Sequence, residues 1–391
     1  MNIISREQQI GVSEKNIQYR ICNRCVMDTS DPWISFDQDG FCNHCTDYLK
    51  TRIKLLNQDS LNDQPLNELI SIIKSRGKKS KFDCVVGLSG GVDSSYVAYL
   101  ASKHNLRVFG VHMDNGWNSP IAVENIRNLV SKLNMGYASY VLPWADFRKV
   151  QLAFLRASVP EAETPTDVAI QRAVNFYALK NGIPSILSGG NIASEGILPV
   201  SWHYNARDTK YSYSILNQAG CATKLFASQK HGVLDEVYSK VIKGIKTFYP
   251  LNNIIYDKDA VRDELKEAVG WKYYGSKHGE SKFTKFIQGY YLYVKHGIDY
   301  RRATLSSEIC QGVMSRDSAI NILNNLPYDT QAVKVEMEYI AKKLGISDQE
   351  LQAIVQMPPK WYKDFPNNEL ILGKIYDLYR FLTKKEKTSN F

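Results

Sequence analysis

The stretch Val85-Val86-Gly87-Leu88-Ser89-Gly90-Gly91-Val92-Asp93-Ser94-Ser95 decides the fold. An apolar run stops at Ser-Gly-Gly and is followed at once by Val-Asp-Ser-Ser. The run reads as a buried strand over residues 82–88. Residues 92–104 then carry Val92, Tyr96, Val97 and Leu100 on one helical face. The turn therefore joins a strand to the start of a helix. Amides at a helix start point outward with partial positive charge and suit an anion. Gly90 and Gly91 let the backbone approach a phosphate closely. Ser89, Ser94 and Ser95 add hydroxyl donors. Asp93 is an acid beside an anion site, which makes sense if a divalent cation, Mg2+, lies between carboxylate and phosphates. No lysine follows the glycines, so this is not the Gly-x-x-x-x-Gly-Lys loop, and it is not Gly-x-Gly-x-x-Gly either.

Outward from this turn the chain alternates. Further strands are expected over 107–113, 137–142 and 184–187. Helices are expected from Ser119-Pro120, with Ser as N-cap and Pro at the first turn, and over 146–158 and 166–181. This rhythm predicts an α/β fold with a doubly wound parallel sheet. Ligands in such sheets sit beyond the carboxyl ends of the strands. Two more strand ends become candidates on that ground: His112 and Asp114 after the second strand, and Gly189, Gly190, Asn191 and Glu195 after the fourth, although Gly-Gly-Asn is also ordinary loop chemistry. After about residue 251 the rhythm fades into helices. One is expected over 315–326 with Ile322, Leu323 and Leu326 inward. Three stretches result: 1–60, 61–250 and 251–391.

The 391 residues are 44% hydrophobic and 23% charged, the balance of a globular protein, and too many for one ordinary domain. Lys and Arg (49) outnumber Asp and Glu (40), giving a net charge of +9. That favours an anionic partner. No run of about 18 apolar residues predicts a membrane span. The first residues lack the pattern of a secretion signal, so a cytoplasmic location and reduced cysteines are expected.

Four of the seven cysteines, Cys22, Cys25, Cys42 and Cys45, form two Cys-x-x-Cys knuckles separated by residues 26–41. This spacing suits one tetrahedral Zn2+. The spacer reads as strand, turn and return strand, a zinc ribbon, and a closed four-thiolate site would be structural. Four thiolates also serve an iron–sulfur cluster. Cys84 reads as core, while Cys221 and Cys310 are isolated. No cysteine has the setting of a glutaminase nucleophile.

With these residues in place, the Ser89–Ser95 loop resembles the PP-loop of ATP pyrophosphatases, which split ATP into AMP and pyrophosphate and attach AMP to a substrate oxygen. Residues 22–45, the loop, residues 189–202 and residues 278–319 together resemble the N-acetyl sugar amidotransferases of bacterial surface-polysaccharide and nonulosonic-acid biosynthesis. That resemblance implies ATP and Mg2+ as cofactors and a nucleotide-activated sugar as substrate. The reaction would convert an acetamido to an acetamidino group through an O-adenylyl imidate attacked by ammonia. It implies roles for His278, Glu280, Arg301 and Arg302 in neutralising charge, positioning substrate and moving a proton, with Ser89 and Asp93 at the phosphates. It also implies a separate glutaminase with an ammonia-channelling barrel, similar to imidazole glycerol phosphate synthase. Residues 218–223 depart from the family pattern. A tRNA-modifying PP-loop enzyme is the alternative; nucleic acid is otherwise not expected as the partner.

Overall fold

A computed structural model of the chain describes residues 18–56, 64–221, 225, 232–275 and 279–383. Its centre is a five-stranded, wholly parallel sheet in the order β3-β2-β1-β4-β5. The strands are β1 (Cys84–Gly87), β2 (Val108–Asp114), β3 (Gly136–Val141), β4 (Ser185–Leu187) and β5 (Lys246–Phe248). The short β5 follows a helical stretch and was not expected from the sequence. The described helices begin with α1 (Asn43–Leu56) and include α5 (Trp144–Arg156), and helices cover both faces of the sheet. On one side α2 (Gln64–Gly77), α3 (Val92–Lys103), α4 (Pro120–Lys132) and the helix Lys258–Val269 bury Ile73, Val97, Leu129 and Leu265 with Cys84 and Val86. On the other, α6 (Thr164–Lys180) packs Ala169, Ala173 and Val174 against Val85, Phe109 and Val111. Alternate residues of β1 thus feed opposite cores, as a strand's two-residue side-chain period dictates. The doubly wound arrangement matches the sequence reading. The chain departs from β1 to β2 on one side and returns to β4 on the other, so the crevice at the switch point opens at Ser89 and Ser188.

Ser119 caps α4 by accepting from the Ala122 amide at 3.2 Å, with Pro120 in the first turn. Beyond the sheet, Ser281 caps a helical run comprising Lys282–Phe286, a π-helical turn Ile287–Tyr291 and Leu292–His296. Helices Arg301–Gln311, Arg316–Leu323, Ala332–Leu344 and Asp348–Gln356 follow. Only part of the expected inward face of the second of these holds: Leu323 is buried, but Ile322 and Leu326 are exposed because the helix lays one narrow side on the N-terminal segment. Among the described residues no helix is long and apolar enough to cross a membrane.

The N-terminal segment is two cysteine knuckles held by isolated bridges, Ile21 to Asp28 and Phe36 to Cys42, rather than a formed two-stranded hairpin. It leans on the C-terminal helices. Arg302, 4% exposed, pairs with the buried Asp28 at 2.9 Å and donates to the Val26 carbonyl at 2.6 Å. Arg316 donates to the carbonyls of Cys22 and Cys25. A buried charge left without its partner is costly. Arg302→Ala should therefore lower stability by about 3–5 kcal/mol in urea unfolding, whereas a loss below about 1 kcal/mol, the range of exposed pairs, would contradict this anchoring.

Candidate active site

The loop after β1 is built around Gly90. Its φ of +80° lies where L side chains are strained, and a Cβ there would come 2.4 Å from the Ala122 carbonyl oxygen. Asn125 and the indole of Trp271 both donate to the Gly90 carbonyl, at 3.2 and 3.1 Å. Gly91 then caps α3. The Ser89 hydroxyl accepts from the Gly91 amide at 3.1 Å and lies 3.0 Å from the Ser94 hydroxyl. Ser89 is exposed and Ser94 half-buried, so these two hydroxyls stand at the mouth of the loop. Ser95 is fully buried and its hydroxyl has no partner among the described residues, which corrects its expected place among the phosphate donors.

Asp93, in the first turn of α3, joins the third strand-end loop to the first. Its Oδ1 accepts from Asn191 Nδ2 at 3.4 Å and from the Tyr256 hydroxyl. Burial and the Asp93 charge hold the Tyr256 phenol far above its ordinary range, so it stays a donor. Asn191 caps the short helix α7 (Ile192–Glu195), and a Cβ on Gly189 would lie 3.0 Å from the Ser94 amide nitrogen. Gly190 donates to Ser188 Oγ at 3.1 Å. Glu195 is exposed at the end of α7. His112 is buried between loops, with Nδ1 2.9 Å from the Leu88 carbonyl and Nε2 3.2 Å from Asn118. Asp114 accepts from Gly116 and Asn118 at 2.8 and 3.1 Å and orders the turn after β2. Apart from Ser95, the residues expected at the three strand ends thus converge.

The C-terminal third reaches this crevice at Glu280. Its carbonyl accepts from the Ser119 amide at 2.8 Å, Asn118 and Ser281 form an antiparallel bridge, and Lys282 donates to the Trp117 carbonyl at 3.2 Å. The Glu280 carboxyl and the Tyr274 hydroxyl stand close to Gly91. A cavity of about 620 Å³ opens here, lined in part by Ser89, His112, Asn118, Gly189, Glu280 and Thr284. Beside it Thr284 donates to Glu163 at 3.0 Å. Partial burial, then the neighbouring Asp167, push Glu163 up to about 8, while Asp167 itself is exposed. Neither Glu163, Asp167, Tyr256 nor Tyr274 was singled out as a site residue. The acid-rich Glu161–Asp167 stretch at a helix start was the one available signal; the tyrosines offered none.

Two expectations need correction. Arg302 anchors the cysteine segment, as described above. Arg301 forks onto Asp299 at 2.9 and 2.7 Å and donates to the carbonyls of Ile322 and Asn325. Both guanidiniums are consumed in holding other segments, Arg302 on the cysteine segment and Arg301 on the next helix, and neither reaches the loop. Lys282 sits 4.2 Å over the Tyr339 ring and Lys285 pairs with Glu336, so they too are structural. His278 lies outside the described residues.

Cys22, Cys25, Cys42 and Cys45 are all fully buried, with sulfurs within 4.8 Å of one another. A single tetrahedral ion with bonds of about 2.3 Å spaces sulfurs by roughly 3.8 Å. Cys22 to Cys45 is 3.7 Å and Cys25 to Cys42 is 3.6 Å. The backbone amides of Arg24, Cys25 and Cys42 point at Cys22 Sγ, at 3.4, 3.4 and 3.2 Å, the polarity a thiolate needs. Hydrogen bonds from neighbouring thiols hold Cys22 down to about 6. The donor set fits one soft ion.

A parallel sheet with a Ser-Gly-Gly-x-Asp-Ser turn at its switch point is the layout of a PP-loop domain. Residues 65–183 match the NAD synthase family, and residues 280–382 match the family of the LPS biosynthesis protein WbpG-like, C-terminal domain. Two separate parts of the chain thus resemble known families, an NAD synthase-like region that holds the loop and a WbpG-like region at the C-terminal end. The chain is also 27% identical over 236 residues to the tRNA-specific 2-thiouridylase MnmA of Mycoplasmopsis synoviae, covering 54% of this chain and 58% of that protein. To the MnmA of Acetivibrio thermocellus it is 31% identical over 130 residues, 28% of this chain and 36% of that one. The chain thus spans little more than half, at most, of these curated relatives. Remote structural likenesses, each at 15% identity, include the NH3-dependent NAD synthetase of Campylobacter jejuni (TM-score 0.29; 53% of this chain, 93% of that) and the U34-tRNA thiolase NcsA of Methanococcus maripaludis (0.33; 78% and 88%).

The loop geometry makes Gly90 the most sensitive position. Gly90→Ala should weaken ATP binding at least about 10-fold, since backbone strain and displacement of Ala122 cost of order 1–3 kcal/mol; unchanged binding in isothermal titration would contradict the close packing.

Proposed function

We propose that the protein uses Mg-ATP to activate an acetamido group on a nucleotide-linked sugar and replaces its oxygen with nitrogen, giving an acetamidino sugar, AMP and pyrophosphate. The observation that carries this reading is the seating of the WbpG-like region on the nucleotide site: its first residue, Glu280, pairs with Ser119 and stands against Gly91.

The chemistry follows from the groups present. An amide carbonyl is a poor electrophile. Its oxygen attacks the α-phosphorus of ATP, pyrophosphate leaves, and the resulting O-adenylyl imidate carries a good leaving group. Ammonia adds to the carbon and AMP departs with the former amide oxygen. The amides of the Ser89–Gly91 turn, with the Ser89 and Ser94 hydroxyls, receive the pyrophosphate charge. Asp93, with Oδ1 already held by Asn191 and Tyr256, offers its other oxygen to Mg2+, which would offset charge on the phosphates. His112 and Asp114 border the space beside β2 for the nucleoside. Ammonia arrives protonated at neutral pH, and Glu163 beside Glu280 has a pKa suited to taking that proton.

Zn2+ at the four cysteines, a glutaminase partner with a channelling barrel and a cytoplasmic location complete the proposal. The similarity to MnmA favours the tRNA-modifying alternative. Sulfur transfer by a cysteine persulfide would need a thiol at the loop, however, and Cys221 packs in a separate cluster around Tyr211 while Cys310 lies beside Cys45.

The test is release of AMP and pyrophosphate with Mg-ATP and ammonium across a panel of diacetamido nucleotide sugars and bulk tRNA. Sugar-dependent release is expected, and Asp93→Ala should reduce it at least about 100-fold, the scale of losing a group that stabilises transition-state charge. Release with tRNA alone would overturn the reading. The pH profile is a second check. Glu163 acts as base only when ionised, so the ammonium-dependent rate should rise through pH 8, the value to which burial and Asp167 raise it. Glu163→Gln should remove that limb; an unchanged profile would exclude Glu163 as the base.

A further inference from the structure

The cysteine site and the third nucleotide loop are joined by two adjacent side chains. Ser306 and Ser307 sit on the helix Arg301–Gln311 and are both fully buried. Ser306 Oγ accepts from the Val26 amide, directly after the first cysteine knuckle, at 3.2 Å. Ser307 Oγ accepts from the Ile197 amide, just past α7, at 2.9 Å, and donates back to the Ala303 carbonyl at 3.0 Å. Val26 is held at both ends, since its carbonyl takes the Arg302 guanidinium.

Two direct contacts run in parallel with this bridge. Asp31 accepts from the Ser201 hydroxyl at 2.5 Å while its other oxygen meets His44 at 2.5 Å. The Tyr48 ring lies so close to Gly196 that a Cβ there would be 2.4 Å away, and its hydroxyl donates to Gln311 at 3.0 Å. Residues 196–201 are thus gripped from one side by the segment that carries the cysteines. Directly before it, the helix α7 starts from Asn191, which caps α7 and donates to Asp93.

From this geometry we propose that the four-cysteine segment is a positioning element for the nucleotide site: a metal ion on Cys22, Cys25, Cys42 and Cys45 fixes the knuckle, and Ser306 and Ser307 transmit that order to residues 191–201 and so to the Asp93 carboxylate. The physical basis is that a metal closes a segment with too little core of its own to hold one shape. Ser306 and Ser307 are positioning residues; neither touches the loop that takes the phosphates. A segment serving only stability would protect the whole molecule equally. A positioning segment protects residues 191–201 beyond the sheet.

Hydrogen exchange of the full-length, metal-loaded protein separates the two. Removing one acceptor from a buried amide raises local opening by roughly 5- to 100-fold. Ser307→Ala should retain one metal ion per chain, speed exchange at Ile197 and residues 192–196 by that factor, and leave β1 and β2 at wild-type rates. Stripping the metal with a chelator should give the same local pattern more strongly. Ser347→Ala, which removes the cap of the helix Asp348–Gln356 off this path, should do neither. Exchange at 192–197 that is unchanged in Ser307→Ala, or that rises only in step with β1 and β2, would overturn the proposal.

The activity arm rests on the adenylating function above. In Ser307→Ala the Mg2+ concentration for half-maximal pyrophosphate release should rise several-fold, on the scale of the same lost hydrogen bond, with the sugar KM unchanged. An unaltered Mg2+ dependence would count against the link to Asp93. If no sugar supports turnover in the wild type but the local exchange pattern appears, the enzymatic reading fails and the coupling stands.

Discussion

The backbone of Gly90 is the point on which the nucleotide site turns. Its left-handed conformation bends the chain out of β1 and into α3, so that amides and hydroxyls face one open space. Its carbonyl is gripped by Asn125 from α4 and Trp271 from the segment after the sheet. No side chain fits between it and Ala122. Elements distant in sequence are thus fixed relative to the turn, and a phosphate arriving there would meet preorganised donors rather than reorganise them.

The same economy of space explains how the third loop arrives. Gly189 lies against the first turn of α3, and Asn191 spends its carbonyl oxygen on capping α7 and its amide on Asp93. One asparagine thereby sets both the start of a helix and the orientation of a carboxylate. On the opposite wall, the C-terminal region enters as an extended pairing of Glu280–Lys282 with Trp117–Ser119 before it turns helical.

Much of this was legible in the residues. The strand–turn–helix at 82–104, the Ser119-Pro120 helix start and the paired Cys-x-x-Cys spacing follow from local rules, and the structure agrees with them because period and capping act over a few residues. Arg301 and Arg302 were misread because charge near an anion site suggests neutralisation, whereas their partners, Asp299, Asp28 and the Val26 carbonyl, depend on how distant segments pack. Ser95 was misread for a related reason: a hydroxyl two residues from Asp93 turns into the interior on a helix. Tyr256 and Glu163 gave little signal, since their significance lies in what the fold brings beside them.

The central claim is that AMP is transferred to the acetamido oxygen. It is tested most directly by following that oxygen. A nucleotide sugar labelled with 18O in its acetamido carbonyl, incubated with the enzyme, Mg-ATP and ammonium, should yield AMP carrying one 18O and an acetamidino sugar carrying none. Unlabelled AMP alongside a sugar that keeps its label would contradict the account.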